Sequence, residues 1–153
     1  MRFALALLAF LVAVPASAGH YFIVDVPDVV PEAHHKALAA AGIQTTADLY
    51  DRIAKAADRR AFASRTGIPE RDLGEWARFI DLMQLSGIGP KMVRLLNAAE
   101  VPNLKALQGA DPASLSQKMK EANRGNRFSE LVPDADVVKG WVGQARKVTL
   151  RLE

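Results

Sequence analysis

The chain has 153 residues, a formal net charge of +3 and no cysteine. So small a charge is far from the strongly basic balance of a protein that coats DNA, and without cysteine there can be neither a disulfide nor a thiol nucleophile. Half of the residues are hydrophobic but only 7% are aromatic, which favours close-packed short helices over a β-sandwich.

The first eighteen residues have the pattern of a cleavable secretory signal peptide. Arg2 is their only charged residue, an apolar run extends over 3–14, and small residues follow at 16–18. Because about 20 apolar residues are needed to span a bilayer, this run favours cleavage over the alternative, an uncleaved anchor. We therefore expect residues 1–18 to be removed before Gly19. The mature protein would then be periplasmic or extracellular, with no stable membrane insertion.

Capping residues predict a series of helices in the mature chain. In chain order, the predicted starts are Pro31, Thr45 or Thr46, Asp58, Pro69, Pro90, Asn103, Asp111 with Pro112, and Pro133 or Asp134. Gly67 is expected to end the third helix, because glycine readily adopts the left-handed conformation that closes a helix. The fold class predicted for residues 19–153 is a single all-α domain.

Two segments depart from the helical pattern. Residues 21–26 are rich in β-branched and aromatic side chains, and residues 148–153 alternate between apolar and polar. Both patterns are typical of strands. Since an isolated strand pair is only marginally stable in water, we expect a short two-stranded ribbon, formed by the termini and packed on the helices.

The chain also matches itself in part, which predicts two tandem repeats. The matched pairs are Leu38 with Leu96, Ile43 with Val101, Gly67 with Gly125 and, beyond a looped insertion at 126–129, Trp76 with Trp141. The first repeat would cover about 27–82 and the second about 83–147. Identities are few, so a chance match is the alternative.

Between two apolar helical segments lies Gly87-Ile88-Gly89, followed by Pro90. Two glycines one residue apart permit positive φ and close backbone approach, and proline suits the first position of a helix. This pattern predicts a helix-hairpin-helix. Val29, Val30 and a proline occupy the matching place in the first repeat, which predicts that this first hairpin is structural, because valine disfavours positive φ.

The second hairpin is the candidate binding site. Backbone N–H groups near Ile88 and Gly89 would stand unpaired at a helix N-terminus, which can hold an anion. Gly87, Ile88 and Gly89 would then present their amides to a phosphate. Lys91 and Arg94 follow three residues apart and so lie on one helix face. The predicted ligand is a nucleic-acid phosphate. The alternative is a tight helical corner that binds nothing.

Histidines and charged clusters suggest no other chemistry. His34 and His35 are adjacent and point about 100° apart on a helix, so we expect exposed side chains and no metal site. The mixed charges at 58–60 and 70–72 are typical of solvated faces with local ion pairs. The sequence therefore predicts no catalytic residues, no metal and no cofactor.

The two tryptophans are expected to be core side chains between the repeats rather than platforms for base stacking. They also belong to a set of short features in a fixed order, which comprises Trp76, the 85–89 hairpin, the 95–99 segment, Val101, Leu107, Asn123 and Trp141. Together these features resemble a bacterial family of tandem helix-hairpin-helix repeats, domain-of-unknown-function family 4332, over residues 27–147. The resemblance implies an all-α tandem hairpin fold and no particular activity.

Two functions follow from these observations. One is an exported, non-enzymatic module that contacts a nucleic-acid backbone weakly and without sequence preference, through Gly87, Ile88, Gly89, Lys91 and Arg94. The alternative is a protein–protein interaction or scaffold module of the cell envelope, in which the hairpin is only a corner.

Overall fold

The computed structural model describes residues 20–153, which form eight α-helices, as the all-α prediction requires. The helices are α1 (His35–Ala40), α2 (Thr46–Ile53), α3 (Ala56–Thr66), α4 (Glu70–Met83), α5 (Pro90–Ala98), α6 (Leu104–Gln108), α7 (Pro112–Asn126) and α8 (Ala135–Ala145). Short 3₁₀ turns at Ile23–Asp25 and Glu32–His34 precede α1. Within this part of the chain, no helix combines the length and apolarity needed to cross a membrane. The predicted signal peptide at 1–18 lies outside the described residues.

Side-chain caps begin four of these helices where the sequence predicts them. Thr45 forms a capping box: its hydroxyl accepts the N–H of Asp48 at 3.2 Å, and the Asp48 carboxylate accepts the N–H of Thr45 at 2.9 Å. Asn103, Asp111 and Asp134 each accept a backbone N–H of the helix that follows. Because these bonds join residues close in sequence, each cap is fixed by local chemistry.

Two predicted helix starts are displaced. The third helix begins at Ala56 rather than at Asp58. The carboxylate of Asp58 lies in the first turn, where it interacts favourably with the helix dipole. The chain after Pro31 first makes a 3₁₀ turn and only then enters α1. Gly67 ends α3 with φ 73°, in the predicted left-handed conformation.

The buried side chains form two hydrophobic clusters. The cluster of the first helical unit extends from Ile23 to Ile80, and that of the second helical unit extends from Leu82 to Ala145. In the first unit α2, α3 and α4 pack on one another; in the second, α8 packs on α6 and α7. The clusters divide within α4, close to the predicted repeat boundary. The duplication itself stays a prediction.

A buried carboxylate joins the two units at this division. Asp81, on α4, is 1% exposed and accepts the hydroxyl of Tyr50 at 2.5 Å and the backbone N–H of Leu104 at 2.7 Å. Tyr50 lies on α2 of the first unit, and Leu104 is the first residue of α6 in the second. Burial raises the pKa of Asp81, although both hydrogen bonds oppose this rise, and burial also raises the pKa of Tyr50.

The predicted ribbon of the termini is wrong, because no strand is present in residues 20–153. Ile23 and Val26 are buried, whereas the residue after each of them is exposed. This spacing of three follows a tight turn rather than the period of two of a strand. The N–H of Ile23 donates to the oxygen of Gln44 at 2.9 Å, and a single bridge joins Phe22 to Thr45. The segment therefore pairs with the loop before α2 and not with the C-terminal residues.

Residues 151–153 instead pack on the first helical unit, an arrangement we call the C-terminal clasp. Arg151 pairs with Asp51 at 2.8 Å and lies over the ring of Tyr50. Leu152 packs against the first-unit core, and the N–H of Glu153 donates to the oxygen of Ala54 at 3.0 Å. The clasp thus ties the end of the second unit back to α2.

Arg59 completes the clasp from the side of α3. Its guanidinium donates to the backbone oxygens of Ile53 and Ala54, each at 2.8 Å, and to that of Glu153. The prediction that residues 58–60 form only a solvated face is therefore wrong for Arg59, which is half-buried. The ion pair between exposed Arg71 and half-buried Asp72 does follow the predicted pattern of local ion pairs.

We expect removal of residues 148–153 to lower the melting temperature by several degrees, because the clasp contacts are lost. Arg59→Ala should lower it in the same direction, whereas Arg60→Ala, which changes an exposed neighbour on α3, should leave it nearly unchanged. Thermal unfolding followed by circular dichroism would measure all three variants. An unchanged melting temperature in the truncated protein would show that the clasp does not stabilise the fold.

Candidate functional site

The hairpin between α4 and α5 has the tight geometry that its glycines predict. Gly87 has φ 85°, in the left-handed region, and a Cβ placed on it would lie 3.2 Å from Nε1 of Trp141. Gly89 is the N-cap of α5, and Pro90 is the first residue of this helix. Backbone conformation and packing against α8 therefore both favour glycine at position 87.

One predicted feature of this hairpin is wrong. The N–H of Ile88 is not unpaired, since it donates to the oxygen of Leu85 at 3.3 Å within the turn. The side chain of Ile88 is 1% exposed and belongs to the second-unit core. Ile88 therefore shapes the hairpin from inside, with its side chain in the core and its N–H already paired within the turn. The N-terminus of α5 has no side-chain cap, so its first-turn N–H groups are the ones that can meet an anion.

Tyr21 lies against the hairpin, which the sequence did not predict. Its hydroxyl oxygen is 2.8 Å from the point that a Cβ on Gly89 would occupy. The hydroxyl of Tyr21 thus occupies the space that the missing side chain of Gly89 leaves open. Tyr21 belongs to a segment whose composition predicts a strand. The turn that this segment makes instead brings the tyrosine hydroxyl to the hairpin.

The two predicted cations differ in their surroundings. Lys91 is exposed, and within residues 20–153 it forms no ion pair. Arg94 pairs with Asp28, with 3.3 Å between Nη2 and Oδ2, and its guanidinium lies 5.9 Å from the ring centre of Phe79. A carboxylate next to the predicted phosphate site is the second feature that sequence reasoning missed.

These groups surround one open cavity at the start of α5, of about 370 Å³, which we call the hairpin notch. It is lined by Tyr21, Asp28, Gly89, Pro90, Lys91, Met92 and Arg94. The notch brings together two cations, a hydroxyl donor and the uncapped end of a helix, against one carboxylate. Such a combination can bind a singly or doubly charged oxyanion by hydrogen bonds and charge.

The matching place in the first unit is closed. Val29 and Val30 are buried, and their N–H groups both donate to the oxygen of Val26. The structure thus gives this segment the structural role that its sequence predicts. His35 is half-buried rather than exposed, because its Nε2 donates to the oxygen of Val30 at 2.8 Å.

The other candidate side chains lie in or against the cores. His34 is also half-buried, with its ring 5.3 Å from that of Trp76 in an edge-on contact. Trp76 and Trp141 are both buried, each in the core of its own unit rather than between units. In the part of the chain that the structure describes, no three histidine, aspartate or glutamate side chains gather as metal ligands.

The model of the family described as Domain of unknown function (DUF4332) matches residues 29–148, and the chain belongs to this family. No curated protein matches the chain, nor does any solved structure.

Proposed function

We propose that this protein is an exported, non-enzymatic module that contacts the phosphate backbone of nucleic acid through the hairpin notch, weakly and without sequence preference. The observation that supports this proposal is the convergence of Lys91, Arg94 and the Tyr21 hydroxyl on the uncapped start of α5. Contacts of this kind position a protein on a backbone and carry no sequence information.

Each group has a distinct role in the proposed contact. Lys91 meets the phosphate as a freely moving point charge, and Arg94 adds a planar pair of donors once it turns from Asp28. The first-turn N–H groups of α5 lie at the same uncapped end of the helix, where the helix dipole favours negative charge. With two cations the notch neutralises only one or two phosphates, so the binding is weak.

A protein-interaction or scaffold module of the cell envelope is the second candidate. It is favoured by apolar side chains left in solvent near the start of α8: Leu131 is 83% exposed and Val137 is 47% exposed. In this alternative the hairpin is a corner between α4 and α5, and the Asp28–Arg94 pair is only a surface ion pair.

A salt titration of the mature chain, residues 19–153, separates the two candidates. We expect duplex DNA oligonucleotides of unrelated sequence to bind with equal affinity, measured by fluorescence anisotropy. The log–log dependence of affinity on salt should have a slope of about −0.9 for each phosphate neutralised, and so no steeper than about −1.8 for two cations. If no DNA binds even at low salt, the phosphate proposal fails and the interaction module replaces it.

A further inference from the structure

The hairpin notch is built from both helical units, because a segment of the first unit reaches it. Residues 21–30, which we call the N-terminal strap, are held on the first unit by backbone bonds from Ile23 to Gln44 and between Tyr21 and Thr46. Val30 is fully buried in the same unit. The strap nevertheless places the Tyr21 hydroxyl and the Asp28 carboxylate at the start of α5 in the second unit.

The position of Asp28 matters most for a ligand. Its carboxylate lies 3.3 Å from the Arg94 guanidinium, at the place where the proposed phosphate would meet the same side chain. The Asp28 side chain is 78% exposed and that of Arg94 is 32% exposed. An ion pair this open to water is weak and can be broken by a competing anion.

We propose that Asp28 is an internal competitor that occupies Arg94 and so limits the phosphate affinity of the hairpin notch. This inference rests on the proposed function. While Asp28 holds the guanidinium, Lys91 is the only free cation of the notch, and a phosphate gains Arg94 only by displacing the carboxylate. Release of the carboxylate from Arg94 thus converts the notch from a one-cation to a two-cation site.

Asp28→Asn tests this competition with little change in shape. We expect the affinity for duplex DNA to rise about two- to fivefold, the range that an exposed ion pair allows. The log–log slope of affinity against salt concentration should steepen by up to about 0.9, the contribution of one further neutralised phosphate. Fluorescence anisotropy in a salt series measures both quantities.

Glu100→Gln is the matched control, because it removes the same charge from a carboxylate that is equally exposed and also forms an ion pair. Glu100 follows α5 at its far end and pairs with Lys118 at 2.8 Å, with its side chain 80% exposed. A change in overall charge alone would raise DNA affinity equally in both variants. Equal gains would therefore overturn the competition and leave the proposed function standing.

A double variant shows whether Asp28 acts through Arg94. In an Arg94→Gln background, Asp28→Asn should no longer increase affinity beyond the Glu100→Gln control, because no guanidinium remains to be released. A gain that persists in this background would overturn the inference. If neither wild type nor any variant binds DNA at low salt, the inference and the proposed function both fail.

Discussion

Replacing Asp81 with alanine should lower the free energy of unfolding by about 2–5 kcal/mol, since it leaves two buried donors without a partner. These donors are the hydroxyl of Tyr50 and the N–H of Leu104, which Asp81 accepts at 2.5 Å and 2.7 Å. One lies in each helical unit, so the substitution should loosen the junction between the units and not just one core.

Chemical denaturation followed by circular dichroism measures this loss. Asp58→Ala, at an exposed aspartate in the first turn of α3, is the control and should cost no more than about 1 kcal/mol, the contribution of its interaction with the helix dipole. Tyr50→Phe removes one of the two donors, so it should cost less in the Asp81→Ala background than alone. Equal stability of the Asp81→Ala and Asp58→Ala proteins would show that the buried carboxylate does not join the units.

Asp81 also makes the stability of the protein depend on pH, with a sign that follows from its raised pKa. Burial raises the pKa of Asp81 in the folded protein, so the folded state binds this proton more tightly than the unfolded state does. The stabilisation that this raised pKa gives to the folded protein is therefore complete below the ordinary aspartate pKa. It is lost as pH rises through the raised pKa of the folded state. We therefore expect the stability of the wild type relative to Asp81→Asn to fall as pH rises, when both are measured over an acidic pH series.

Charge reversal at Lys91 and Arg94 should abolish DNA binding while the fold stays intact. Two glutamates would replace both cations of the hairpin notch and add to the negative charge of Asp28, so a phosphate would be repelled where it is proposed to bind. Anisotropy at low salt measures the loss, and circular dichroism checks the fold.

The matched control reverses two basic residues on another helix. Lys120 and Arg124 are exposed on α7, four residues apart, and changing both to glutamate shifts the net charge by the same amount. That protein should keep most of its affinity. If both double variants lose binding equally, the effect comes from overall charge and the hairpin notch is not the site.

Local chemistry made much of the helical architecture predictable. The capping box at Thr45, the left-handed Gly67 and the proline that begins α5 all act within a few residues of their own position, so the sequence alone shows them. The hairpin at residues 87–89 is predictable for the same reason, because the left-handed φ of Gly87 depends on its own missing side chain.

The candidate site was predictable only in part. The spacing of Lys91 and Arg94 after the hairpin predicts that they lie together. The groups that surround them in the structure, however, come from residues far away along the chain. Nothing local to Asp28 or Tyr21 shows that their side chains reach α5. The pairing of Ile88 with Leu85 was also missed, since it depends on how tightly the turn closes.

The sequence by itself determined the helices, their caps and the glycine hairpin, because each depends on neighbours along the chain. The tertiary structure alone decided where the terminal segments pack. Their apolar and β-branched residues fit a strand in isolation, yet residues 21–26 turn with a period of three and residues 151–153 clasp α2. Their backbone groups find partners on the first helical unit, and such long-range hydrogen bonds override local strand propensity.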